Sequence, residues 1–169
     1  MSLYSKVLHV RQGKGMDLGD FSQPVLTANG TLGGSSFATY ESSYMSESLN
    51  HQSYNLTTYD SSNTSSGTGR WQSNNGTAMP QYVIFYSPNP IKLTTCDFNN
   101  EGIASSEQYF MIKDYEIYGS NDNSTWTKLY TGTNTMTTPY SAGAWSVTVN
   151  ASDYYSYFKL NVVSIQGGS

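Results

Sequence analysis

The chain is short of the side chains that carry most protein chemistry. It has one cysteine, Cys96, and two histidines, His9 and His51, in 169 residues. A single cysteine excludes an internal disulfide, and one Cys with two His excludes a closed Cys/His zinc site. Cys96 lies in an apolar-rich run and reads as a small buried hydrophobe. Charged residues make up only 12% of the chain, against about 25% in an average soluble protein. Guanidinium groups come only from Arg11 and Arg70, and the net charge is −4. That balance excludes a partner bound through a nucleic-acid backbone, which needs clustered cations. No run of about 18 apolar residues occurs, so no transmembrane helix is predicted. The N-terminus lacks the apolar block of a secretory signal. The reading drawn from this is synthesis in a cytoplasm without export by the usual signal.

Catalytic patterns are missing too. There is no Gly-x-Ser-x-Gly elbow, no His-Glu-x-x-His and no phosphate-binding Gly-rich loop ending in Lys-Ser/Thr. Glu41 with Glu47, and Glu101 with Glu107, are close in sequence, but they sit in Ser-rich stretches where carboxylates are usually just solvated. The chain is therefore read as non-enzymatic.

Uncharged polar residues and aromatics are abundant. Ser, Thr and Asn together form about a third of the chain, and there are 15 tyrosines. Aromatic content of 14% argues against ordinary disorder. No segment keeps a helical period; alternation of two recurs instead. Trp145, Val147 and Val149 alternate with Ser146 and Thr148. Phe158, Leu160 and Val162 alternate with Lys159, Asn161 and Val163. Residues 82–86 are apolar on both faces, as in a central strand covered on both sides. Residues 91–98, 110–119 and 125–130 read as further strands, the last anchored by Trp126. Asn29-Gly30, Gly33-Gly34, Asn75-Gly76, Pro88-Asn89-Pro90 and Asn121-Asp122-Asn123 supply turns. Many short strands with such turns predict an all-β, antiparallel sandwich or barrel. Long loops are expected over 40–53 and 60–79, with shorter ones over 99–108 and 132–143. Residues 1–23 contain a strand followed by a Gly-containing tether. They read as an N-terminal strand or arm, an edge strand or an assembly anchor, ahead of a main domain over 24–169.

The segment Tyr115-Glu116-Ile117-Tyr118-Gly119-Ser120-Asn121-Asp122-Asn123-Ser124-Thr125-Trp126-Thr127-Lys128-Leu129 resembles the discoidin family, also called the coagulation factor 5/8 C-terminal domain. That family is similar to family 32 carbohydrate-binding modules. Tyr54-Asn55-Leu56 with Tyr59-Asp60, Arg70-Trp71-Gln72-Ser73, Pro80-Gln81-Tyr82-Val83-Ile84-Phe85, Pro90-Ile91-Lys92-Leu93 and Tyr157-Phe158-Lys159-Leu160-Asn161-Val162 follow in the family's order. The match covers about 25–164. It implies a jelly-roll, galactose-binding-domain-like antiparallel β-sandwich. In that fold Trp126 would cover the open end of the sandwich, and Trp71 would be core. The chain departs from the family's calcium site. Asp60-Ser61-Ser62-Asn63-Thr64 replaces the usual Asp-Gly-Asn, and no terminal Glu follows. Asp60 and Thr64 would be what remains of that metal site, so no cofactor is expected beyond a possible structural calcium.

The resemblance places ligands on loops at one tip. A sugar needs a flat aromatic face and a few fixed hydrogen-bonding groups. Tyr40, Tyr44 and Tyr140 are the candidate faces. His51, Arg70, Asn99 and Asn100 are the candidate polar contacts. The expected function is that of a non-catalytic module binding a cell-surface glycan or polysaccharide. Low charge, abundant Ser, Thr and Asn, and the N-terminal arm suggest a phage tail, fibre or capsid-decoration protein. Other virion proteins or further copies of the chain would then be partners, and the virion the location; an extracellular or cell-surface assembly is the alternative setting. A purely structural virion domain without glycan binding is the alternative function. Phospholipid binding, known in relatives, needs apolar spikes ringed by cations. Here Met45, Leu49 and Ile103 are accompanied by acidic residues, so neither a membrane nor a nucleic acid is expected as partner.

Overall fold

A computed structural model describes residues 6–12, 38–42, 78–100, 112–135 and 143–166. Eight strands occur in it: β1 (Lys6–Gln12), β2 (Ala38–Glu41), β3 (Gln81–Ile91), β4 (Leu93–Asn100), β5 (Asp114–Ser120), β6 (Thr127–Thr133), β7 (Gly143–Thr148) and β8 (Tyr155–Val162). The described residues contain no helix. Two antiparallel sheets result, one of three strands in the order β1-β4-β7 and one of five in the order β2-β3-β8-β5-β6. The all-β antiparallel expectation therefore holds.

Side-chain alternation assigns the faces. On the five-stranded sheet Val83, Leu160 and Ile117 lie in one cross-strand row, and Phe85, Phe158 and Gly119 in the next. The side chains of Val83, Leu160, Ile117, Phe85 and Phe158 are buried. The three-stranded sheet contributes Leu93, Cys96 and Phe98, and the same apolar cluster contains residues of both sheets. The molecule is thus a sandwich with its core between the sheets. Cys96 is fully buried, as a small core residue should be.

Tyr115 links the two layers. It rises from the five-stranded sheet, is 1% exposed, and packs 5.1 Å from the Phe98 ring. Phe98 stacks on Trp145 at 4.8 Å, and the Trp145 indole N–H donates to the Tyr115 hydroxyl at 3.2 Å. A buried phenol needs a partner for its oxygen, and the facing sheet provides it.

Two local features shape the frame. Residues 88–90 were expected to turn, and instead stay within β3, where pairing with β8 is irregular between Tyr86 and Ile91. Pro88 and Pro90 cannot donate to a ladder, which accounts for the break in register there. One residue, Lys92, then separates β3 in one sheet from β4 in the other. The β5–β6 connection behaves as the Asn-Asp-Asn signal predicts. Asp122 Oδ1 accepts hydrogen bonds from the Ser120 hydroxyl and from the backbone N–H groups of Ser124 and Thr125, while Asn123 takes φ 57°. Asn121 ties this turn to the start of β8, accepting from Ser156 N–H and donating to Tyr154 O. These bonds to the charged carboxylate hold the Asp122 pKa well below the ordinary range.

Candidate functional site

The sequence-predicted ligand residues fall in different places. Tyr40 was expected at the start of a loop, but it is the third residue of strand β2, paired with Ile84. It is 47% exposed. Asn99 and Asn100 end β4 in the other sheet, where their backbones pair with Lys6, Ala144 and Gly143. Tyr44, His51, Arg70 and Tyr140 lie outside the described residues, as do Trp71 and the two metal candidates Asp60 and Thr64. Among the described residues no group of three or more His, Cys, Asp and Glu forms a potential metal site, and no helix is long and apolar enough to cross a membrane.

What the described residues do assemble is the outer face of the five-stranded sheet. Since the inner set is Val83, Phe85, Ile117, Phe158, Leu160 and Val162, the alternate positions point away from the core. One outer row is Tyr82, Asn161 and Glu116. The next is Tyr40, Ile84, Lys159, Tyr118 and Lys128. A third holds Tyr86 and Tyr157, whose rings lie 4.7 Å apart. Residues 82–86 were read as covered on both sides. Among the described residues only the inner side is covered by another sheet; on the outer side Ile84 is buried, while Tyr82 is 36% exposed.

Hydrogen bonds and ring faces fix this surface. Glu116 Oε2 accepts from the Tyr118 hydroxyl at 2.6 Å and from Asn161 Nδ2 at 3.2 Å, and Glu116 Oε1 pairs with Lys128 Nζ. These donors, led by Lys128, lower the Glu116 pKa; the same contacts raise those of Lys128 and Tyr118. Lys159 is held differently. Its Nζ lies 4.2 Å from the Trp126 ring centroid, 5.0 Å from Tyr118 and 5.9 Å from Tyr82. Burial pushes the Lys159 ammonium down, opposed by the field of Glu116.

Trp126 therefore differs from expectation. It lies half-buried on the outer face against Lys159, not over the end of the sandwich. The Asp122 turn delivers it there, since it precedes β6 directly. Sequence reading did not single out Lys159, Tyr82 or Trp126 for this surface. A signal was present: Lys159 and Asn161 occupy the outward phase of an otherwise apolar strand. Their neighbours depend on strand order, which alternation does not supply.

The arrangement suits non-covalent recognition. Exposed phenol faces take the C–H side of a flat ring, and anchored carboxylate, amide and ammonium groups take hydroxyls or charge. No protein-family model matches the chain, and no curated protein is significantly similar to it. Among solved structures it is similar to a family 32 carbohydrate-binding module of Clostridium perfringens in complex with GalNAc-beta-1,3-galactose. The identity is 17%, covering 54% of this chain and 60% of that one, with a TM-score of 0.44. It is also similar to the family 32 module of C. perfringens NanJ in complex with galactose. Identity there is 18%, coverage 55% and 62%, and TM-score 0.44. A further C. perfringens family 32 module matches at 16% identity over 76% of this chain and 83% of that one, again at a TM-score of 0.44. The chain spans about three fifths of the length of the first two of these structures.

Proposed function

We propose that this chain is a non-catalytic carbohydrate-binding module whose ligand rests on the outer face of the five-stranded sheet. The observation that carries this reading is the pair Tyr40 and Tyr82, exposed on adjacent strands of a rigid sheet beside hydrogen-bonding groups already held in place by Glu116. Singly exposed aromatics are ordinary; a cluster with fixed polar neighbours marks a recognition surface. A sheet face positions such groups with little entropy to lose on binding. The resemblance to discoidin domains supports the same function. Tyr44, His51, Arg70 and Tyr140, with Asn99 and Asn100 at the end of β4, are proposed from sequence as a second contact region.

The test is a glycan array with the protein in multimeric form, since a shallow site gains most of its retention from avidity. The Tyr40→Ala/Tyr82→Ala double variant is expected to lose the signal while remaining folded. A Tyr44→Ala/Arg70→Ala variant that alone loses it would move the site to the loops. A blank array with folded, multimeric wild-type protein would refute glycan binding.

The second reading, an assembly domain of a virion, draws on β1. Among the described residues it is an outer strand of the three-stranded sheet, paired with β4. A sheet edge is a template for another chain. Light scattering of the protein with and without residues 1–12 tests it; a monomer in both forms refutes self-assembly through this edge.

A further inference from the structure

The outer face holds one cation, Lys159, that is set among rings and not against a carboxylate, and it points to one class of glycan. Glu116 is fully occupied: one oxygen faces Lys128, the other takes Tyr118 and Asn161. Lys128 is thereby neutralised. Lys159 is left over. Among the described residues no carboxylate lies within ion-pair distance of it, and its contacts are the rings of Trp126, Tyr118 and Tyr82.

Ring faces stabilise a cation, but they carry no lone pair for its N–H groups. An ammonium partly stripped of water and lacking an acceptor is costly to leave so. An anion arriving at Lys159 would supply what the rings cannot. Beside it, Tyr82 and Tyr40 offer exposed faces for the ring that carries the anion. The chain's net charge of −4 repels anions at long range, so selection here is short-range and local.

From this juxtaposition, and resting on the glycan-binding reading above, we infer that the face selects acidic saccharides, with Lys159 taking a carboxylate or sulfate on a sugar stacked against Tyr82. A lipid surface or nucleic acid would need several unpaired cations side by side. Lys159 stands as one, with an acidic residue nearby.

The experiment uses a panel of matched pairs: oligogalacturonate with its methyl ester, sialyllactose with lactose, and a sulfated galactan with its desulfated form. Binding is measured by calorimetry at low and high salt for wild type, Lys159→Gln and Lys159→Arg. We expect at least one acidic member to bind about ten-fold more tightly than its neutral partner, the difference shrinking at high salt. Lys159→Gln should erase the preference and Lys159→Arg should keep it. Thermal melts check that both variants fold; if Lys159→Gln does not, the matched pairs with wild type and Lys159→Arg still decide. Equal affinity within every pair, or a preference that survives Lys159→Gln, overturns the acidic assignment and leaves glycan binding standing. No binding to any glycan overturns both. Binding of anionic vesicles or DNA in preference to every acidic glycan would also overturn it.

Discussion

Gly119 offers a quantitative test of the sandwich. It lies on the inner face of β5, paired with Phe158 and Thr127. A Cβ built there would stand 2.6 Å from both Cδ2 and Cγ of the Tyr155 ring. Carbon atoms pack best at about 3.5–4.0 Å, so the ring must retreat by roughly 1 Å. It has little room to do so. Tyr155 is 7% exposed and meets the Phe158 ring edge-on, with centroids 6.3 Å apart. Overpacking of this kind costs about 1–3 kcal/mol. Against it, replacing Gly in a strand recovers about 0.5–1 kcal/mol of backbone entropy. With two contacts at 2.6 Å the cost falls in the upper half of that range, about 2–3 kcal/mol, so Gly119→Ala should lose about 1–2.5 kcal/mol, which for a chain of this length is a melting shift of about 2–10 °C. The three nearest atoms all belong to the Tyr155 ring, so a double-mutant cycle isolates that contact. In a Tyr155→Leu background the alanine should cost nothing or stabilise slightly. Urea unfolding monitored by tryptophan fluorescence gives all four free energies. A Gly119→Ala protein as stable as wild type, or an equal loss in both backgrounds, would refute the packing argument.

Four further outcomes are expected. Tyr115→Phe removes the oxygen that accepts from Trp145 and should cost about 1 kcal/mol in chemical denaturation. Asp114, Glu116 and Asp122 all have lowered pKa values in the folded chain. Groups with depressed folded pKa stabilise above their unfolded pKa of about 4 and lose that contribution as pH falls through the folded value, so stability should decline on acidification below about pH 4. Asp122→Asn should flatten that slope in pH-dependent melts. Tyr40→Ala and Tyr82→Ala, being exposed, should change unfolding free energy by no more than about 0.5 kcal/mol while abolishing array binding. Gly132→Ala should destabilise measurably in thermal melts, because its Cβ would stand 2.6 Å from Tyr115 Cζ beneath the inter-sheet hydrogen bond.

Much of the frame was legible in the residues. The alternation of Phe158, Leu160 and Val162 with polar neighbours assigned the inner face of β8, and Trp145, Val147 and Val149 did the same around β7, because burial on one side imposes a period of two. Asn121-Asp122-Asn123 marked a turn whose side chains do close it. The candidate surface was less legible. Trp126 is large and apolar, and bulk alone favours the core; only the Asp122 turn and the position of Lys159 across the sheet send it outward. Tyr40 was placed in a loop because the Ser-rich stretch after it masks a four-residue strand. Lys159, Tyr118 and Tyr82 come from three strands separated by long stretches of sequence, and no local pattern announces that β8 runs between β3 and β5.

That position of β8 has a further meaning for how the sheet comes together. β8 is the last of the described strands in chain order, yet it occupies the middle of the five-stranded sheet. Until it docks, β2–β3 and β5–β6 are separate two-stranded ribbons, each marginal in water. The β5–β6 ribbon closes over a short turn and can form early; β3 must wait for its second partner, β8, about 70 residues further along the chain. Folding is then expected to be late and all-or-none at β8. The same event creates the outer face, since Lys159 reaches Trp126, Tyr118 and Tyr82 only when that strand slots between its neighbours. Protein lacking β8 should carry the aromatic side chains of this surface without the surface itself.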